Sequence, residues 1–232
     1  MIKFLTSGAI VNFVLVIIGS VVGMLLKKGI SKNIQKTLMN AMALFVLLIG
    51  VKGIFEDNIN TIIIIISTAI GAIIGQALDL DNLLNKFANK IESKFKSDGE
   101  NGKIAEGFVT ATLLFCVGAM TIVGSIDSGI SGDNTTLYSK SIIDGISAAV
   151  FASTMGFGVM LSSVAVLVIE GGLTLLATVV SPVLTQTVVS HMSVIGSLLI
   201  IAIAFNLLGV TKIKVMNIIP AVFFPIILCL FM

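Results

Sequence analysis

Two carboxylates sit where the sequence is otherwise apolar: Asp144 in "SIIDGISAAVFASTMGFG" and Glu170 in "VLVIEGGLTL". An acid in such a setting can bind a cation, carry a proton or serve as a general acid or base. At 100° per residue, Asp144, Ser147, Thr154 and Gly158 fall within an arc of roughly 80°. Ser163, Glu170, Thr174 and Ser181 fall within about 40° on the next run. Glu106, Thr110, Gly118, Thr121 and Ser125 share one side of the run before. The link "SIDSGISGDNTTLYSK" (125–140) adds Asp127 and Asp133, with enough Gly to lie irregular beside a cavity. Three consecutive stripes of this kind must face one another, a water-filled cavity or a subunit interface. The candidate ion- or solute-binding residues are therefore Asp144, Ser147, Thr154, Thr121, Ser125, Asp127 and Asp133. Asp144, expected a few residues into its helix near the outer water, is the binding acid, and the deeper Glu170 is the proton carrier.

Other chemistries lack their residues. There is no HExxH, GxSxG, GxGD or GK[ST] motif, so no enzyme or cofactor is expected. An intramembrane enzyme using Asp144 and Glu170 as an acid–base pair is the weakest reading. His191 is the single histidine and is expected at an interface rather than as a ligand. Cys116 and Cys229 lie inside apolar runs and read as free thiols. A net charge of +2, with no basic run alternating with aromatics, excludes a nucleic-acid partner.

The elements that must hold these stripes are membrane helices. The chain is 56% hydrophobic and 11% charged, with a mean hydropathy of +1.14, far from soluble composition. Apolar runs at 10–26, 38–51, 61–78, 108–123, 142–161, 164–180, 194–210 and 215–232 predict an all-α, polytopic membrane protein with about eight crossings. They form one integral membrane domain over 1–232: helices 1–3 at 8–78, an inner loop with an interfacial helix at 79–105, and helices 4–8 at 106–232. The first run is stopped by "KKG" and lacks an Ala-x-Ala site, so it reads as a retained helix. The interfacial helix shows Leu80, Leu83, Leu84, Phe87, Ile91 and Phe95 at helical spacing, with Lys86, Lys90 and Lys94 on another face.

The basic residues are all lysines. Lys27, Lys28, Lys32 and Lys36, then Lys86, Lys90, Lys94, Lys96 and Lys103, then Lys212 and Lys214 fall in alternate connections, against Lys3, Lys52 and Lys140 in the others. That split predicts the cytoplasmic (inner) membrane of a bacterium with both termini outside. Helices 1–3 and 6–8 then run oppositely, as an inverted repeat requires. Gly8, Gly19 and Gly23, and Ser67, Gly71 and Gly75, give small-residue faces through which a homodimer or higher oligomer is expected. Pro220 and Pro225 should bend the last helix, with Asn206 or Asn217 satisfying freed carbonyls.

"GFVTATLLFCVGAMTIVGSIDSGISGDNTTLYSKSIIDGISAAVFASTMGFGV", with the early "GAIVNFVLVIIGSVVGMLLKKGI" and the late "NLLGVTKIKVMNIIPA", resembles the bacterial membrane family known as domain of unknown function 554, the YqgA/YdfK-like proteins. The resemblance covers essentially the whole chain and implies a membrane protein without an assigned activity. It departs from the family's pattern at Glu170, where a neutral polar residue is expected, which favours Asp144 as the essential acid. The functional expectation is a secondary transporter of an ion or small polar solute, in contact with the bilayer. A non-catalytic membrane protein, channel or envelope factor, is the alternative.

Overall fold

The computed structural model describes residues 7–27, 32–55, 59–95 and 103–229. Among them all regular structure is helical: α1 Ser7–Lys27, α2 Lys32–Gly53, α3 Thr61–Ala77, α4 Leu80–Phe95, α5 Lys103–Cys116, α6 Ala119–Ser131, α7 Thr135–Met155, α8 Phe157–Leu175, the single turn α9 Ala177–Val180, and α10 Gln186–Leu207. Two 3-10 turns, Val215–Asn217 and Ile219–Phe223, lead into the short α11 Phe224–Leu228. Lys3, Lys28 and Lys96, on which part of the sidedness expectation rests, lie outside the described residues, as does the end of the last apolar run.

Four helices are long and apolar enough to cross a membrane: Ser7–Leu26, Lys36–Gly53, Phe157–Leu175 and Gln186–Leu207. Two bent pairs pass the same test together, Thr61–Ala77 with Leu80–Lys86 at 49° and Ile104–Cys116 with Met120–Ser131 at 57°, which makes up to six. Their outward positions are apolar. On α1, Ile10, Val14, Ile18, Val21, Val22, Leu25 and Leu26 are exposed, a stripe that suits lipid and not water.

The chain forms two compact units, Met1–Met42 with Glu106–Pro182 and Ala43–Ala105 with Val183–Met232. In the first, α1 and α7 lie in backbone contact. A Cβ added at Gly19 would strike the Gly145 carbonyl, one at Gly23 the Ala149 carbonyl, and one at Gly145 would sit 3.1 Å from the Leu15 carbonyl oxygen. Only small residues at these four-residue intervals permit that approach. The pairing advances in step from Gly8 beside Asn134 and Leu137 to Gly23 beside Ala149 and Ala152, so the two helices run parallel. Asn134 pins the start: its Oδ1 accepts from the Gly8 N–H (3.0 Å) and the Ser128 hydroxyl (2.8 Å).

The sequence-based boundaries shift at three places. The 125–140 link is not irregular: α6 continues through Ser131, only 132–134 turn, and α7 begins at Thr135. The hydroxyls that suggested a loop bond back onto their own helices, Ser131 to the Asp127 carbonyl (2.7 Å), Ser139 to Thr135 (3.0 Å) and Ser141 to Leu137 (2.6 Å), which satisfies them without water. The fourth apolar run breaks instead at Val117–Gly118, between α5 and α6. The fifth and sixth are divided at Gly156, whose φ of 69° and ψ of −140° suit a residue without a side chain. Gly158 therefore belongs to α8 and not to the Asp144 helix.

In the second unit α10 is buried along most of its length. Gly71 packs on Ala221 and Gly75 on Asn217. The small-residue faces expected to join subunits are thus filled within one protomer, as Gly19 and Gly23 also are. Asn217 ties the bend between α3 and α4: its Oδ1 accepts from the Asp81 N–H (2.7 Å) and its Nδ2 donates to Gln76 Oε1 (2.9 Å). Asn206 holds the turn after α10 by donating to the Ile213 carbonyl (2.8 Å). The segment with Pro220 and Pro225 is broken into 3-10 turns and a short helix rather than merely bent, because each proline removes a donor.

Candidate functional site: a buried four-residue polar cluster

The burial stripes of the first unit converge. On α1 the positions Gly8, Asn12, Val16, Gly19, Ser20 and Gly23 are buried. On α8 Gly158, Ser162, Val166, Glu170 and Thr174 repeat every four residues, and α7 turns Leu137, Lys140, Ser141, Asp144 and Ala148 inward. Each stripe is one face of a 3.6-residue helix, so polar residues within them must meet.

They meet at Asn12, Lys140, Asp144 and Glu170. The Asn12 Nδ2 donates to Asp144 Oδ2 (2.9 Å) and to Glu170 Oε1 (2.8 Å). The Lys140 ammonium pairs with Asp144 Oδ2, one helical turn away, and with Glu170 Oε1 at 3.1 Å. Asn12 and Glu170 are wholly buried, and Lys140 and Asp144 are 5% exposed. The amide orientation follows from its partners, since the opposite one would turn Oδ1 toward two carboxylates. Asn12 Oδ1 and Glu170 Oε2 have no hydrogen-bond partner.

Lys140 was expected in an outer loop and is instead a member of this cluster. The missed signal is its spacing: Lys140 and Asp144 are i and i+4, neighbours on any helix. Asp144 was expected near outer water because its helix was expected to start at 142. With α7 starting at Thr135, it lies about two and a half turns in and is buried. Asn12, on the glycine-bearing face of α1, links both acids.

The other candidates are not in this hydrogen-bonded group. The Thr121 hydroxyl donates to the Phe115 carbonyl (2.9 Å) across the α5–α6 break, and Thr154 to its own helix at Phe151 (2.9 Å). Ser125 is wholly buried with an unpartnered hydroxyl, and Ser147 is half-buried. Asp127 is exposed. Asp133 is exposed in the 132–134 turn, where its Oδ1 accepts from the Thr135 N–H (2.9 Å). The Thr135 side chain and then its N–H hold that carboxyl below the usual range, so these bonds to Thr135 are strongest at neutral pH and weaken as pH falls through the lowered value. Cys116, the last residue of α5, is buried. The second half of the broken helix, α6, packs against α7 and α8, which carry three of the four cluster residues.

Among the described residues, no three His, Cys, Asp or Glu side chains are grouped to hold a metal ion. His191, in the second unit, is buried. Its Nε2 accepts from the Asn60 N–H (2.9 Å) and its Nδ1 faces the Thr187 carbonyl (2.7 Å), which specifies the neutral tautomer with the proton on Nδ1. Asn60 is the N-cap of α3, accepting from the Ile62 N–H at 3.0 Å, so His191 holds a helix start.

The profile of the family described as "Protein of unknown function (DUF554)" matches residues 7–230. YdfK, an uncharacterised membrane protein of Bacillus subtilis (strain 168), is 33% identical over 221 residues, 94% of this chain and 93% of its own. YqgA, an uncharacterised protein of Escherichia coli (strain K12), is 27% identical over 217 residues, 92% of each chain. No solved structure matches.

Proposed function

The chain belongs to the DUF554 family, and on that premise we propose that it is a secondary transporter of an ion or small polar solute. One observation carries this reading: the hydrogen-bonded and ion-paired group of Asn12, Lys140, Asp144 and Glu170, held inside a chain of apolar spans. Charged groups at membrane depth cost at least about 2.5 kcal/mol each on the most lenient scale. A fold that needed only packing has cheaper apolar solutions, as buried ion pairs seldom stabilise more than well-packed hydrophobic residues do. The broken helix α5–α6 beside the cluster is the kind of element from which transporter sites are built.

The finer topology in this proposal has eight crossings: α1, α2, α3, bent α5–α6, α7, α8, α10 and the broken segment 215–229. Parity supports it. Parallel α1 and α7 need an odd number of crossings between them, and α2, α3 and α5–α6 as one span make three. Both termini would face outward in the cytoplasmic membrane, with the inverted relation of helices 1–3 and 6–8 retained. Uptake into proteoliposomes is the test. The expected result is saturable, gradient-dependent flux of one solute from a panel of cations, amino acids and small carboxylates, lost in Asp144→Asn. Flux that never saturates would mean a channel, and absence of flux across the panel a non-transporting membrane protein.

A further inference from the structure

The buried cluster is one positive charge short. Two carboxylates, Asp144 and Glu170, share one ammonium, Lys140, leaving a surplus negative charge among residues at most 5% exposed. Such a charge is not tolerated without a compensating partner. Among the described residues no other group nearby supplies it. On α7 the remaining titratable side chain is the exposed Tyr138, and on α6 it is the exposed Asp127. On α5 they are Lys103 and the exposed Glu106 in its first turn, at the opposite end from Cys116, and the buried Cys116 thiol, which carries no positive charge. Apart from Glu170, α8 and α9 carry none. The described part of α1 has only Lys27, at its far end.

The hydrogen-bond accounting has a matching defect. Two acceptors are orphaned, Asn12 Oδ1 and Glu170 Oε2. They belong to the two groups already joined by the 2.8 Å bond from Asn12 Nδ2 to Glu170 Oε1. A carboxylic acid and a primary amide pair through two hydrogen bonds: amide N–H to the acid's carbonyl oxygen, and acid O–H to the amide oxygen. The first is formed, and the second needs a proton on Oε2. One proton there supplies the missing positive charge and turns an orphan acceptor into a donor, for which Asn12 Oδ1 is an unpartnered acceptor on the residue it already meets. A dehydrated divalent ion asks for six or more oxygens and would overshoot the charge. An anion would worsen it.

We propose that Glu170 is a single-proton binding site, occupied on Oε2 and paired with Asn12, with Lys140 serving as the internal counter-ion of Asp144. Within the transporter reading on which this rests, the proton is the ion the protein couples to. With the proton bound the cluster is neutral in sum: Asp144 and Lys140 cancel, and Glu170 carries no charge. Its release leaves a buried negative charge that a monovalent cation must neutralise.

Infrared spectroscopy of the full-length protein in lipid nanodiscs at neutral pH tests this without any transport step. A carbonyl-stretch band of a protonated carboxyl is expected in the wild type and absent in Glu170→Gln, whose amide still donates to Asn12 Oδ1. Asn12→Leu keeps the acid but removes its acceptor, so the band should persist and move to higher wavenumber. Lys140→Gln should add a second band as Asp144 also takes a proton. A wild type with no such band, or a band unchanged in both Glu170→Gln and Asn12→Leu, would overturn the assignment. If Glu170→Gln does not fold, the Asn12→Leu shift decides. A band that behaves as expected in a protein that moves no solute would leave the proton site standing and remove the transporter reading alone.

Discussion

At the scale of single residues, Lys140 decides what the cluster is. Deleting one partner of a buried charge group leaves the others uncompensated, which costs about 3–5 kcal/mol. Lys140→Met should therefore destabilise the protein by that order in a denaturant titration in detergent micelles. Adding Asp144→Asn should restore a large part of the loss. A double variant no more stable than the single one would mean that Lys140 acts through packing of its stem and not its charge. The two acids and their helical stripes are legible in the sequence because carboxylates in apolar runs stand out. Lys140 and Asn12 are not. A lysine close to a polar link reads as sidedness, and an amide in a glycine-bearing helix reads as glue. Only the backbone contact of α1 with α7 brings Asn12 to Asp144, 132 residues away.

Among the elements, glycines sort into those that hold a contact and those that hold nothing. Gly19→Leu or Gly145→Leu would push α1 from α7 and pull Asn12 off both acids, so the folded yield in detergent should fall sharply. Gly171→Ala and Gly172→Ala meet no atom within 4 Å; helix propensity makes each neutral or more stable by up to about 1 kcal/mol. Gly156→Ala falls between, costing about 1–3 kcal/mol from its backbone conformation alone. A thermal-unfolding series on these variants checks the order, and equal losses at positions 19 and 171 would contradict the close approach. Helix existence is legible from hydropathy, but α2, α5, α7, α8 and α10 each begin about one to two turns before their apolar run does. The breaks are hidden because both lie inside apolar sequence, at "CVGA" and "TMGFG", where a glycine looks like one more small packing residue. The converse error is the 125–140 link, whose Ser and Thr hydroxyls look like a loop until they are bonded to carbonyls one turn back.

For the whole molecule, the parallel course of α1 and α7 is a statement about sides. Single cysteines at Ser7 and Asp133, at the starts of those two helices, should react alike with impermeant maleimides on intact cells. Cysteines at Lys36 and Lys212 should react only with permeant reagents. Opposite labelling of Ser7 and Asp133 would break the parity on which eight crossings rests. Labelling of Lys212 from outside would reverse the last helices and end the inverted relation. Composition and the lysine pattern make a polytopic membrane protein legible. The division into two compact units is not, since each unit is assembled from distant stretches of chain and no local signal marks the joins.

The step-by-step match of α1 with α7 also has a consequence in time. Ribosomes add about 5–20 residues per second, so α1 enters the bilayer on the order of ten seconds before α7 exists. Its glycine face and Asn12 wait unpaired through that interval, which one neutral amide makes tolerable. The acids and the lysine arrive late and close together, on α7 and α8, with the Lys140 cation synthesised four residues before its first acid. The charge is thus matched from the moment it enters the membrane, and the neutral partner is the one left waiting.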